Sequence, residues 1–117
     1  MMISSGVHHV SINVTDTDAA RRFYVDVLGF TELARPDLGF PGAWLQIGEQ
    51  QLHLLELPMP EHKGQHFALA VADVDSAVGL LRAQGVDVGD PKEISGVCRQ
   101  AFLFDPSGNQ VELNQPI

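Results

Sequence analysis

Apolar and polar residues alternate strictly along positions 7–14. Val10, Ile12 and Val14 fall on one side and His9, Ser11 and Asn13 on the other, the period-two mark of a strand with one buried face. Asp16 stands where a helix N-cap belongs. Ala20, Phe23, Tyr24, Val27 and Leu28 then recur at three-four spacing, which predicts an amphipathic helix stopped by Gly29. A short strand is predicted over 30–33, before the breakers Pro36, Gly39, Pro41 and Gly42. Positions 43–47 and 51–57 read as a hairpin turning on Gly48-Glu49-Gln50. The second half runs in the same order. A strand over 66–71 leads to the cap Asp73 and a helix carrying Val74, Ala77, Val78 and Leu81, ended by Gly85. A short strand near 86–88, a loop through Gly89-Asp90-Pro91 and a hairpin of 99–104 with 110–114 complete it, around the turn Asp105-Pro106-Ser107-Gly108-Asn109.

The two halves share residues as well as order. At an offset of 57, His9/His66, Val14/Val71, Asp16/Asp73, Asp18/Asp75 and Ala20/Ala77 are identical pairs. In the last strand of each half, Leu52-His53-Leu54 falls on Val111-Glu112-Leu113 at an offset of 59, the longer second hairpin absorbing the difference. Such self-similarity marks a duplicated supersecondary unit. The expected fold is α+β, a single domain over 1–117 built of two βαβββ modules that form curved mixed sheets. Module one covers about 7–57, the linker 58–64 and module two about 65–115.

Composition narrows the function. With 44% apolar and 19% charged residues, the chain has the make-up of an ordinary globular protein. A net charge of −8 excludes roles that depend on gripping a phosphate backbone. No apolar run approaches the ~20 residues that cross a bilayer, and no signal-peptide pattern is visible at the N-terminus. One cysteine, Cys98, cannot form an internal disulfide. These features predict a cytoplasmic protein with neither nucleic acid nor membrane as partner.

The duplication also sets candidate chemistry at matched places: His9 with His66, and His53 with Glu112. In each half the two members lie on the first and last strands. If those strands are neighbours, four ligand-type side chains can converge. Three imidazoles and a carboxylate suit a divalent ion such as zinc, nickel, cobalt, iron or manganese, and His9, His66 and Glu112 match the two-histidine, one-carboxylate set of non-haem iron enzymes. A structural or solvent-facing role competes with this reading at each position. His53 is read either as a ligand or as a hydrogen-bond donor beside one. His8 and His62 have no counterpart in the repeat and are read as surface or structural.

Two βαβββ units, each opened by a histidine, resemble the vicinal oxygen chelate superfamily. That group includes glyoxalase I, fosfomycin-resistance thiol transferases, extradiol dioxygenases, methylmalonyl-CoA epimerase and bleomycin-resistance proteins. The matching segments are His9-Val10, AARRFYVDVLGF from Ala20, GQHFALAVAD from Gly64 and FDPSGNQVEL from Phe104. The resemblance implies an ion in the cup made by paired units, held by His9, His66 and Glu112 with His53 at an optional fourth place. Glyoxalase I is similar but has a glutamate where His53 stands. Extradiol dioxygenases are similar in the triad but add a tyrosine, whereas Tyr24 lies on the first helix. Fosfomycin transferases use basic residues, for which Arg35 and Arg99 are the candidates here, with plain surface charge as the other reading. Bleomycin-resistance proteins keep the fold without the metal. The resemblance therefore implies a metal-dependent lyase or isomerase acting on a small substrate that chelates through adjacent oxygens. Glu112 would double as proton acceptor, and Trp44 and Phe102 would line the substrate's body. The alternatives are a metal-independent small-molecule-binding resistance protein and a ferrous extradiol-type dioxygenase. A homodimer is expected, as is common in the family.

Overall fold

The computed structural model describes residues 2–117, which form two compact units, one ending at Pro60 and the other spanning Glu61–Ile117. The first contains β1 (His9–Asn13), α1 (Thr17–Arg21), a π-helical segment (Arg22–Val27), β2 (Thr31–Leu33), β3 (Gly42–Ile47) and β4 (Gln50–Leu55). Its sheet has the order β1-β4-β3-β2, with β1 and β4 parallel and the other pairs antiparallel. Pairing in register places Ser11, His53, Trp44 and Leu33 in one row and His9, Gln51, Gln46 and Thr31 in the next. Because strand side chains alternate, the opposite face carries Leu45, Leu52, Ala43 and Leu54. These four are buried, together with Val14, Ala20, Phe23 and Tyr24.

The second unit repeats the plan with β5 (His66–Ala70), α2 (Val74–Ala83), β6 (Lys92–Ile94), β7 (Cys98–Phe104) and β8 (Gln110–Pro116), in the order β5-β8-β7-β6. Its polar face has the rows His66-Gln110-Phe104 and Ala68-Glu112-Phe102. Its core holds Val74, Val78, Leu81, Ala101, Leu103, Val111 and Leu113. The fold is α+β, with two four-stranded mixed sheets.

The helices start alike in both units. Asp16 Oδ1 accepts from Ala19 N and Asp73 Oδ1 accepts from Ser76 N, each at 3.1 Å. A second, longer-range cap repeats too: Thr17 N donates to Glu56 Oε1 and Val74 N donates to Gln115 Oε1, each at 2.9 Å. Both caps satisfy amides that a helix leaves unpaired at its start.

Two expectations need correction. The first helix widens after Arg21, with Leu28 N donating to Phe23 O, five residues back, at 3.0 Å. This places both Phe23 and Tyr24 inside, edge to face at 5.0 Å. The sixth strand is Lys92–Ile94 rather than 86–88. Val88 makes only an isolated bridge to Leu103, and its carbonyl accepts from Arg82 Nη2 at 2.8 Å. Regular pairing resumes only after Gly89 N has bonded Phe102 O.

Candidate metal and substrate site

The first and last strands of each unit are parallel neighbours, and each joins its two candidate side chains on one face. His9 sits opposite Gln51 while His53 sits opposite Ser11; likewise His66 sits opposite Gln110 and Glu112 opposite Ala68. The diagonal relation is the same in both units. The contacts it produces differ.

In the second unit, His66 Nε2 and Glu112 Oε1 are 3.1 Å apart. His66 Nδ1 is 2.9 Å from Gly64 O, an acceptor, so Nδ1 donates there and Nε2 is the ring nitrogen turned to Glu112. Glu112 is only 7% exposed, and its Oε2 accepts from Asn114 Nδ2 at 2.7 Å. Phe102 stands edge-on to His66 at 5.6 Å. As a stabilising ion pair this is a poor arrangement: desolvating a carboxylate costs several kcal/mol, and a pair with one exposed partner returns at most about 1 kcal/mol. As two donors for one cation it fits, since ligands about 2.1 Å from an ion lie close to this distance from each other.

In the first unit, the rings of His9, His53 and Trp44 form a stack, with centroids 4.0 Å and 4.5 Å apart and planes within 12°. Parallel rings hold their lone pairs in parallel planes, so His9 and His53 cannot both aim at one ion unless a ring turns. His53 Nε2 is moreover 2.8 Å from Gln51 Oε1. Burial, followed by the fields of His9, His8 and Arg35, holds the His53 pKa below its ordinary value, so the imidazole is neutral in this setting. His8, which the sequence marks as surface or structural, has its Nδ1 2.9 Å from that of His9. Among the described residues no group of three or more His, Cys, Asp or Glu is arranged so that it could hold a metal ion. The donor types suit a divalent ion, but each unit brings only two of them together.

The other candidates separate. Trp44 and Phe102 occupy matched places, opposite His53 and Glu112. Arg99 donates twice to Asp75, at 2.8 Å each, in the first turn of α2. Arg35 lies half-buried beside Phe40. Sequence reasoning passed over Asn114, and also Gln51 and Gln110, an identical pair at the offset of 59. Gln110 Oε1 meets His62 Nε2 at 3.1 Å, much as Gln51 meets His53.

Residues 6–113 match the family model of the Glyoxalase/Bleomycin resistance protein/Dioxygenase superfamily. The chain belongs to this superfamily. Within the glyoxalase superfamily it is 31% identical to "Glyoxylase I 4" of Arabidopsis thaliana, over 93% of this chain and 70% of that protein. It is 34% identical to a 2-epi-5-epi-valiolone epimerase from Actinomyces sp., covering 92% of this chain and 77% of the other. Among solved structures, TnmS3, an antibiotic binding protein from a Streptomyces species, superposes over 100% of both chains with a TM-score of 0.86 and 33% identity.

Proposed function

We propose that the protein is a metal-dependent lyase or isomerase of the glyoxalase type. The observation that supports this reading most is the buried Glu112 carboxylate set 3.1 Å from His66 Nε2, a costly pairing for stability alone. His66 and Glu112 would hold the divalent ion, an imidazole and a carboxylate set together by β5 and β8. The bound ion would supply Lewis acidity to adjacent oxygens of a small substrate. Glu112 would double as proton acceptor on leaving the ion: with Oε2 held by Asn114, the freed Oε1 would take a proton from one substrate carbon and return it to the same or the neighbouring carbon. Phe102, paired with Glu112 in register, would offer a flat apolar wall for the substrate's body. Relatives named as a glyoxylase I and an epimerase are consistent with redox-neutral proton transfer.

A second reading has its own support. The His9–His53–Trp44 stack is a platform for a planar ligand, and the chain is 33% identical to an antibiotic binding protein. In that reading the protein sequesters a small molecule without turning it over.

The assay that separates these readings loads the protein with nickel, with zinc and with ferrous iron. Each form is given hemithioacetals without air and catechols with air. Turnover of hemithioacetals by the nickel or zinc form is the expected result. Oxygen-dependent turnover confined to the ferrous form would replace the lyase reading with a dioxygenase, and no turnover in any form would leave sequestration.

A further inference from the structure

Arg21, Arg82 and Arg99 each reach a carboxylate, but Arg35 reaches none among the described residues. Its Nε and Nη2 are buried and, among the described residues, have no hydrogen-bond partner. These are the two donors on one edge of the guanidinium, the edge that takes a carboxylate through two parallel hydrogen bonds. Its Cζ rests 5.0 Å from the Phe40 ring centroid. A Cβ at Gly42 would run first into the backbone carbonyl of Leu54, and would also lie 3.0 Å from Arg35 Nη2 and 3.1 Å from Cζ. Gly42 precedes Trp44 by two residues on β3, hence on the same side of the sheet. The arginine's charge also bears on His53, the middle ring of the stack. An unpaired buried donor pair is costly, and the cation–π contact with Phe40 offsets only part of that cost.

We propose that Arg35 anchors a carboxylate of the small-molecule ligand, with the rest of that molecule lying against the Trp44–His53–His9 stack. The side chain turns about its own stem to present the Nε–Nη2 edge, exchanging an unpaired burial for a bidentate contact. This deepens the reading of the stack as a platform for a planar ligand by assigning that ligand an anionic carboxylate, and it rests on that reading only for the identity of the molecule.

The test uses metal-free protein and no turnover, so its outcome is independent of the metal assay. Benzoate and its neutral isostere benzamide are titrated while the fluorescence of Trp44, the sole tryptophan, and the Arg35 Nε–Hε resonance are followed. Benzoate is expected to shift both signals and to bind more tightly than benzamide. Arg35→Gln should weaken benzoate about tenfold or more, the scale of a lost charge-assisted pair, and leave benzamide unchanged. Arg35→Met should melt at or above the wild-type temperature, because it removes unpaired donors and keeps the apolar stem against Phe40. Equal benzoate affinity in wild type and Arg35→Gln overturns the proposal. So does a clear drop in melting temperature for Arg35→Met, which would make Arg35 a structural clip.

Discussion

At the scale of single residues, duplication made the candidate site legible, and its hydrogen-bond partners were harder to see. His9, His53, His66 and Glu112 stood out because each has a counterpart in the other half. Asn114 did not, because nothing in sequence spacing says that its amide turns back two residues to Glu112 Oε2. If the carboxylate holds an ion, that contact orients it, and Asn114→Ala should lower divalent-ion affinity about 10- to 100-fold, measured by competition with a chelator. The His53 stack carries a pH prediction for the metal-free protein. Its pKa is held below 6.5, so the folded state releases a proton that the unfolded chain would keep. Stability is therefore whole above about pH 6.5 and falls as the pH drops through the lowered value. Trp44 fluorescence, read during acid titration, should report the midpoint below the ordinary histidine range, and His53→Gln should abolish that transition.

At the scale of elements, the period-two and three-four patterns located seven of the eight strands and both helices, and the failures have local causes. The π-helical widening at Arg22–Val27 leaves the apolar positions nearly where a plain helix would put them. The sixth strand was misplaced because Val86 and Val88 look like strand residues, whereas Val88 is buried and its carbonyl is taken by Arg82. Glu56 and Gln115 are matched at the offset of 59, but their shared task is a long-range contact to a helix start and has no local signature. Glu56→Ala should cost about 1–3 kcal/mol by leaving Thr17 N unsatisfied. Glu56→Gln, which copies the second unit, should cost less than about 1 kcal/mol, the scale of the helix-dipole term it loses. Urea midpoints of the two variants check this, and equal losses would show that charge rather than hydrogen bonding matters there.

At the scale of the whole molecule, β1 and β2 end one sheet while β5 and β6 end the other, so each sheet offers edges that proteins rarely leave uncovered. Val7 and Val10, at and before β1, are exposed, as is Phe104 on β7. A symmetric homodimer is the expected assembly, and sedimentation should give about twice the 12.7 kDa chain mass, a monomer at micromolar concentration being the contrary result. The central claim remains that His66 and Glu112 hold a divalent ion. Chelator competition on the purified protein, monitored with elemental analysis, compares wild type with His66→Ala and Glu112→Gln at matched folded content. The account predicts tight uptake by wild type and a loss of at least about 100-fold in each variant, beyond what losing a ligand's supporting partner costs. Equal retention of the ion in all three proteins would contradict it.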